Sequence, residues 1–190
     1  LTSVELCSLG FQYRNLTASN LVGSAIFGDG SASVIVTPEG DGLAFVDSQS
    51  ILTSGSRHLM GYDIRDDGLH LRLDKELPGF LAAQIPGLVS EFLGRHQLSP
   101  GDIKWWLFHP GGARILSSLQ QAFELEAEQA VWGWDVLRDF GNLSSASVLF
   151  VTSRFLEARP ASDGDYVMMV GVGPGLTVEL ILFQMKKIRG

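Results

Sequence analysis

The sequence contains a single cysteine, Cys7, few basic residues and no long apolar run. One cysteine excludes a disulfide within the chain and is typical of a reducing compartment, so we expect a cytoplasmic protein. Lysine and arginine total 14 against 21 aspartate and glutamate residues, and the net charge of −7 argues against a nucleic-acid partner. The apolar runs are too short to cross a bilayer and no signal peptide precedes the first strand-like segment, so we expect no membrane partner.

Signals for metal and nucleotide binding are also missing. His58, His70 and His96 have no metal-ligand spacing with one another or with Cys7, so the sequence predicts no metal site. Residues 171–175 read Gly-Val-Gly-Pro-Gly, which lacks the third glycine of a dinucleotide fingerprint at the needed spacing. This segment also leads into a strand-like run and not into a helix. We interpret it as a tight hairpin close to a ligand, and we expect no cofactor.

The composition is that of a folded globular protein. The chain has 190 residues, of which 45% are hydrophobic and 18% are charged, and this balance does not fit a disordered segment. Its length suits one domain or one half of a larger two-part fold. The first residue is Leu1 and not methionine, so we expect a fragment or a processed product.

Hydrophobic periodicity predicts strands and helices intermixed along the chain. Apolar positions recur at helical spacing in residues 77–92, which predicts a helix over residues 76–97 with a disturbance at Pro86. Strands are predicted over residues 4–9, 31–36, 44–52, 69–73, 103–108, 166–172 and 176–183, turns over 21–26 and 66–68, and further helices over 113–123, after 126 and over 144–157, the last opened by two capping serines. This mixture indicates an α/β layered fold.

The motif His109-Pro110-Gly111-Gly112 follows the predicted strand over residues 103–108. Its proline prevents the strand from continuing, and its two glycines remove side-chain bulk before the next helix begins. A ligand could therefore approach the backbone here. A single histidine is more often structural, but this position at a strand end makes His109 a candidate site residue.

A second motif, Gly141-Asn142-Leu143-Ser144-Ser145-Ala146, places Asn142 in a turn before a helix. The amide offers two donors and no charge, as an oxyanion site requires, although asparagine is also common in turns and caps. His109 and Asn142 together suit the task of holding a thioester carbonyl oxygen as it becomes negative. They need a nucleophile, and Cys7 is a poor candidate because it lies in a predicted strand without a helix N-terminus beside it.

Four segments in this order resemble the C-terminal half of a type III polyketide synthase, of the chalcone/stilbene synthase family. They are residues 21–30 (Leu-Val-Gly-Ser-Ala-Ile-Phe-Gly-Asp-Gly), the His109 and Asn142 motifs, and residues 171–179. The opening residues 4–12 are closer to bacterial than to plant members. The resemblance implies the C-terminal half of a thiolase-like layered fold, a mixed β-sheet with helices packed on it, and one C-terminal domain over residues 1–190.

The resemblance also implies a Cys-His-Asn enzyme that condenses an acyl-CoA starter with malonyl-CoA by decarboxylative Claisen condensation. His109 would stabilise the cysteine thiolate and, with Asn142, hold the developing oxyanions. Phe27 would separate the CoA tunnel from the chamber. Leu71 falls where plant members carry a second gatekeeper phenylalanine, which would widen the tunnel for a fatty acyl starter. The remaining substrate-binding positions that the resemblance implies are Cys7, Gly23, Ser144, Gly173 and Pro174.

In the family, the nucleophilic cysteine and most of the basic CoA-phosphate site lie upstream of the segment matched by Val4. We therefore expect this chain alone to be inactive, and the whole protein to be a homodimer whose N-terminal half supplies the cysteine. Two alternatives stay open. One is an initiating ketoacyl-ACP synthase, whose histidine motif typically carries Gln and Ala in place of Pro-Gly-Gly. The other is a truncated, non-catalytic partner that binds a thioester or scaffolds a complete synthase.

Overall fold

A mixed four-stranded β-sheet lies at the centre of the computed structural model, which describes residues 1–187. The strands are β1 Thr2–Glu5, β2 Gly30–Ser33, β3 Gly42–Leu52, β4 Met60–Arg65, β5 Gly68–Leu73, β6 Ile103–Phe108, β7 Tyr166–Gly173 and β8 Thr177–Lys186. The α-helices are α1 Ala18–Ile26, α2 Leu77–Gly94, α3 Ala113–Ala122, α4 Val131–Phe140 and α5 Ser147–Ala158. Short 3₁₀ helices lie at Cys7–Gly10, Pro100–Asp102, Ala127–Gln129 and Ser144–Ala146.

The central sheet has the strand order β3-β8-β7-β6. Strands β6 and β7 run parallel, whereas β7 with β8 and β8 with β3 run antiparallel. Strand β6 reads Ile-Lys-Trp-Trp-Leu-Phe, a nearly continuous apolar run, because helices cover both of its faces. The hairpin of β7 and β8 turns at residues 174–176, where the sequence predicted it.

Helices pack on both faces of this sheet. On one face, α2 and α3 share a core with Trp106, Phe108 and Leu180. On the other face, α4 and α5 pack against Leu107 and Met169. Full burial of one such large apolar side chain contributes about 1.5–3 kcal/mol, so the two cores hold the three layers together. The predicted mixed sheet with helices packed on it is confirmed.

Helix α2 is the longest helix in the described part of the chain. It runs unbroken through Pro86, where the sequence predicted a disturbance. A proline inside a helix costs about 3 kcal/mol, and the complete burial of Leu81, Ile85 and Val89 in the core outweighs that cost. Among residues 1–187, no helix is both long enough and apolar enough to cross a membrane.

Two small antiparallel sheets flank the central one. Strands β4 and β5 form a hairpin that turns at Asp66 and Asp67, as predicted, although β4 itself was not predicted. Strands β1 and β2 pair beside the 3₁₀ helix Ser144–Ala146, to which Ser3 Oγ is joined by a 2.6 Å hydrogen bond with Ser145 Oγ. Residues of both small sheets face the end of the central sheet where β6 and β7 finish.

Several local predictions near the N-terminus are wrong. The strand predicted over residues 4–9 ends at Glu5, and the chain then enters the 3₁₀ helix Cys7–Gly10. The turn predicted over residues 21–26 is part of α1, whose first turn is capped by Thr17. The strand predicted over residues 31–36 stops at Ser33, and Ile35 and Val36 are 91% and 83% exposed.

The helix predicted over residues 144–157 is divided into two elements. Residues Ser144–Ala146 form a 3₁₀ helix in which Ser144 has a left-handed backbone with φ of 52°. Helix α5 starts only at Ser147, whose hydroxyl accepts a 2.7 Å hydrogen bond from the backbone N–H of Leu143. The two serines at 144 and 145 therefore do not cap α5, and their polar groups serve other contacts.

Candidate active site

His109 is held at the end of β6 by its own backbone. Its N–H donates a 2.9 Å hydrogen bond to the carbonyl of Val170, so the residue extends the pairing of β6 with β7 by one step. The carbonyl of His109 then accepts a 2.9 Å bond from the N–H of Gly111, which turns the chain sharply toward α3. A Cβ at Gly111 would lie 3.5 Å from the imidazole Cδ2, so the glycine keeps one side of the ring open.

The imidazole of His109 is neutral near pH 7. Burial lowers the pKa of His109 from the ordinary value of 6.5 to about 4. Within residues 1–187 the ring has no hydrogen-bond partner, and it borders an open cleft. A neutral imidazole in that position can donate one N–H to an incoming oxygen or accept a proton from an incoming thiol.

The buried side chain of Asn142 is fixed by three neighbours. Its Nδ2 donates a 3.3 Å hydrogen bond to the carbonyl of Gly111, which ties it to the His109 motif. Its Oδ1 accepts bonds from the N–H of Ser144 at 2.9 Å and from Ser147 Oγ at 3.5 Å. The amide is thereby oriented with one N–H still uncommitted among residues 1–187, which is the donor that an oxyanion site needs.

The backbone of Asn142 brings Phe27 to the same place. The N–H of Asn142 donates a 2.6 Å bond to the carbonyl of Ile26, and its own carbonyl accepts a 3.0 Å bond from Gly28. These two bonds form an isolated parallel bridge between Phe27 and Asn142. The end of α1, the end of β6 and the end of α4 therefore meet at a single point.

His109 and Asn142 line one cleft with a volume of about 450 Å³. Seven of the nine predicted site residues border this cleft, namely His109, Asn142, Phe27, Leu71, Ser144, Gly173 and Pro174. Much of the remaining lining is apolar, including Met60, Met169 and Ile181. The predicted residues thus converge on a cleft that has two polar donors at one end and an aliphatic wall.

The other two predicted residues, Cys7 and Gly23, border a second cavity of about 240 Å³. Three side chains border both spaces and form the wall between them, namely Phe27, Tyr62 and Leu71. A Cβ at Gly23 would lie 2.4 Å from Leu71 Cδ2, so the glycine allows α1 to approach this wall closely.

Cys7 has the properties of a pocket-lining thiol and not of a nucleophile. It lies in a 3₁₀ helix and not in the predicted strand. Burial, assisted by the negative charges of Glu5 and Asp29, raises the pKa of the Cys7 thiol above its ordinary value. A thiol protonated at neutral pH reacts slowly as a nucleophile.

Several lining residues were not found by sequence reasoning, among them Tyr62, Glu5 and Glu179. Tyr62 lies on β4, a strand with no clear alternating pattern. Glu5 accepts hydrogen bonds from Ser145 Oγ and from the backbone N–H of Ser145, and Glu179 accepts one from Ser50 Oγ at 2.6 Å. Side chains alternate between the two faces of a strand, and this alternation in β1 and in β8 is the sequence signal that could have located the two carboxylates. Within residues 1–187, no group of three or more His, Cys, Asp or Glu side chains is arranged to hold a metal ion.

Residues 44–186 match the family described as chalcone and stilbene synthases, C-terminal domain. The chain belongs to this family and is homologous to type III polyketide synthases.

Three relatives show how far the likeness extends. The 1,3,6,8-tetrahydroxynaphthalene synthase of Streptomyces peucetius subsp. caesius is 35% identical over 97% of this chain and 50% of its own length. The enzyme of the same name from Streptomyces coelicolor A3(2) is a bacterial type III polyketide synthase. Its crystal structure superposes with a TM-score of 0.91 and 29% identity, and the match covers 98% of this chain and 53% of that enzyme. The crystal structure of a polyketide synthase from the brown alga Ectocarpus siliculosus superposes with a TM-score of 0.85 and 31% identity. The match covers 97% of this chain and 52% of the algal chain. The chain spans about half the length of the curated relatives it matches.

The desolvated, partly buried imidazole of His109 predicts a pH dependence of folding. Because the pKa of His109 is about 4 when folded and 6.5 ordinarily, the unfolded chain binds more protons between these values. The stabilisation from a neutral His109 is therefore complete above about pH 6.5 and is lost as the pH falls toward about 4. Urea unfolding of the chain across this range should show a smaller pH-dependent loss for His109→Gln than for the unmodified chain. Parallel curves for the two proteins would contradict the assignment.

Proposed function

We propose that this chain carries the histidine and asparagine of a type III polyketide synthase, which joins an acyl-CoA starter to malonyl-CoA by decarboxylative Claisen condensation. The observation that carries the proposal is the convergence of His109 and Asn142 on one cleft, with Phe27 bridged to Asn142. CoA thioesters are the substrates, and the chemistry needs no cofactor. The third member of the triad, a cysteine, comes from the N-terminal half of the same protein.

In the first half-reaction, the cysteine thiol gives its proton to the neutral His109 ring, and the resulting thiolate attacks the acyl-CoA carbonyl. A new C–S bond forms as the bond to CoA breaks, and CoA leaves as its thiol after taking up a proton. His109 suits this role because its ring is free of other hydrogen bonds within residues 1–187 and carries no charge before the thiol arrives.

In the second half-reaction, malonyl-CoA places its thioester carbonyl oxygen between the donors of His109 and Asn142. The carboxylate leaves as carbon dioxide, and its bonding electrons move through the α-carbon to give an enolate whose oxygen is held by both donors. The enolate carbon then attacks the acyl-cysteine carbonyl, and the thiolate leaves as the β-keto thioester forms. Two neutral donors suit an oxygen whose charge rises and falls, because neither pairs permanently with it.

The chamber walls support a fatty acyl starter. Leu71 presents an aliphatic side chain to the wall that it shares with Phe27, and the cleft beyond is lined by Met60 and Ile181. An acyl chain buried along such a surface gains about 0.8 kcal/mol for each methylene group. Gly23, Ser144, Gly173, Pro174 and Cys7 shape the two spaces beside this wall and serve as substrate-binding positions. The whole protein is proposed to act as a cytoplasmic homodimer.

The proposal is tested by comparing two proteins in one assay. The full-length product of the encoding gene, given a panel of short to long acyl-CoA starters with malonyl-CoA, should release carbon dioxide and form polyketides. The chain of 190 residues alone should form none, because it lacks the cysteine that must carry the acyl group. If the chain alone formed product, the nucleophile would lie within it, and the proposal that the N-terminal half supplies the cysteine would be wrong.

The same assay separates the alternatives. Activity with malonyl-ACP but not with malonyl-CoA would identify a ketoacyl-ACP synthase instead. A gene whose start codon lies just before Leu1, with no condensation by its product, would identify a non-catalytic partner. The His109 motif favours the polyketide synthase, since Pro110-Gly111-Gly112 follows the histidine where ketoacyl-ACP synthases typically carry Gln and Ala.

A further inference from the structure

A serine hydroxyl is buried directly beside the side chain of Asn142. It belongs to Ser147, the first residue of α5, which is completely buried. Ser144 and Ser145 line the cleft, whereas Ser147 does not. Removing a hydroxyl from water costs free energy unless its donor and acceptor groups are paired. The partners of Ser147 therefore indicate what this hydroxyl does.

The direction of each hydrogen bond at Ser147 is set by its partners. The backbone N–H of Leu143 can only donate, so Ser147 Oγ accepts this 2.7 Å bond. The hydroxyl then has one proton to give, and its acceptor within residues 1–187 is Asn142 Oδ1 at 3.5 Å. The hydrogen bonds thus run from the Leu143 N–H through the Ser147 hydroxyl to the oxygen of the Asn142 amide.

These bonds select one orientation of the amide. Asn142 Oδ1 also accepts the backbone N–H of Ser144 at 2.9 Å, and Asn142 Nδ2 donates to the carbonyl of Gly111 at 3.3 Å. A half-turn of the amide would place its NH2 group against two donors and its oxygen against a carbonyl oxygen, so all three bonds would be lost. The observed orientation is the one that leaves an N–H of Asn142 uncommitted.

We infer that Ser147 is a positioning residue that keeps the donor end of the Asn142 amide directed at the substrate oxygen. The inference rests on the proposed function, in which Asn142 donates an N–H to the enolate oxygen. An amide turned over would present its own carbonyl oxygen to the enolate, and the two negative oxygens would repel each other. Ser144 acts on Oδ1 through its backbone, so Ser147 supplies the one donor to Oδ1, within residues 1–187, that a side-chain substitution can remove.

Helix α5 gives this donor a rigid support. Its residues Val151 and Phe155 are completely buried in the same core as Leu107 of β6. Strand β6 ends at the residue before His109, so the two proposed donors are held by elements that pack on each other. Helices and strands position a site more precisely than loops do. Ser147 thus fixes the amide relative to the core and not only relative to the loop that carries it.

The first test is Ser147→Ala in the full-length protein. The kcat for carbon dioxide release from malonyl-CoA should fall about tenfold, as expected for one lost neutral hydrogen bond, while the KM for malonyl-CoA stays unchanged. The loss is smaller than that of a removed donor because the Ser144 N–H still holds Oδ1 and because 3.5 Å is long for a hydroxyl donor. The urea midpoint should also fall, since the N–H of Leu143 loses its partner.

A second substitution separates positioning from general stability. In a protein that already carries Asn142→Ala, Ser147→Ala should leave kcat unchanged, because the amide that it positions is gone, but it should still lower the urea midpoint. Ser147→Thr keeps the hydroxyl and should keep kcat close to that of the unmodified protein. The matched control is Thr152→Val, which removes another hydroxyl of α5, one that donates to the carbonyl of Val148 at 2.8 Å, and it should leave kcat unchanged.

Three results would contradict the inference. They are an unchanged kcat in Ser147→Ala, a comparable loss of kcat in Thr152→Val, and the same fold-loss from Ser147→Ala whether or not Asn142 is present. If Ser147→Thr does not fold, the comparison in the Asn142→Ala protein decides alone. Failure of the proposed function has a different signature, since the unmodified full-length protein would then release no carbon dioxide from malonyl-CoA.

Discussion

Replacing His109 by alanine in the full-length protein is expected to lower the rate of malonyl-CoA decarboxylation about 10³-fold. On the proposed mechanism, the change removes one of the two donors aimed at the enolate oxygen and also the base that accepts the cysteine proton. The folded structure should survive, because the ring makes no side-chain hydrogen bond within residues 1–187. Release of labelled carbon dioxide from malonyl-CoA measures the loss without requiring any particular starter.

The control for this variant is His58→Ala. His58 is exposed, and within residues 1–187 its ring makes one hydrogen bond, between Nδ1 and the carbonyl of Gly55 at 3.1 Å, so the rate should remain near that of the unmodified protein. Asn142→Ala is a less selective probe, since it also removes the tie to Gly111 that holds the His109 motif. A His109→Ala protein that keeps its melting temperature and more than a tenth of its activity would show that the site is wrongly assigned.

Gly141→Ala is expected to destabilise the chain by about 3–5 kcal/mol. Gly141 has φ of 75°, and a Cβ there would lie 2.5 Å from the carbonyl oxygen of Ile26. That oxygen is part of the backbone and accepts the N–H of Asn142, so it can move only by breaking this bond. The alanine therefore adds the loss of a buried hydrogen bond to the strain of its own backbone.

Gly164→Ala isolates the part of this cost that comes from backbone conformation. Gly164 also has a positive φ, of 88°, but no atom lies within 4 Å of a Cβ built there. Its replacement should cost about 1–2 kcal/mol, the usual penalty of a left-handed residue. Urea unfolding of both variants with linear extrapolation measures the difference. Equal costs would mean that the contact with Ile26 does not constrain the bridge to Asn142.

The central sheet and its helices could be predicted from the sequence because their patterns are set by burial. Strand β6 is apolar except for Lys104, and α2 repeats its apolar residues at helical spacing, so both follow directly from the need to cover the core. The predicted disturbance at Pro86 was wrong because packing of α2 on the sheet outweighs one lost backbone bond. Local propensity decides little where many buried contacts act together.

The elements around the cleft were harder to predict for a physical reason. Helix α1 buries only Asn20 and Gly23, and its apolar residues Leu21 and Val22 are exposed, so the helix lacks the wide buried apolar stripe that marks a helix in a sequence. Strand β4 carries Tyr62 half exposed into the cleft, so it has no clear buried face. Residues that line a cavity are not selected for burial, and burial is the property on which periodicity depends.

The candidate site was predicted from backbone chemistry more than from side chains. Proline and glycine after His109 predicted a strand end with little bulk, and this is where the structure places the ring. The reason for Gly141 could not be read from the sequence, because it depends on the carbonyl of Ile26, more than 100 residues earlier. Long-range contacts of this kind have no local signal.

The wall formed by Phe27, Tyr62 and Leu71 belongs to two spaces at once. Tyr62 and Leu71 lie on the β4–β5 hairpin, which forms no strand pairing with the central sheet that ends at His109. A larger side chain there takes volume from one space, and a smaller one joins the two, while His109 and Asn142 keep their own anchors. A substitution in this wall can thus change the size of the molecule that the two spaces accommodate without disturbing the hydrogen bonds that hold His109 and Asn142.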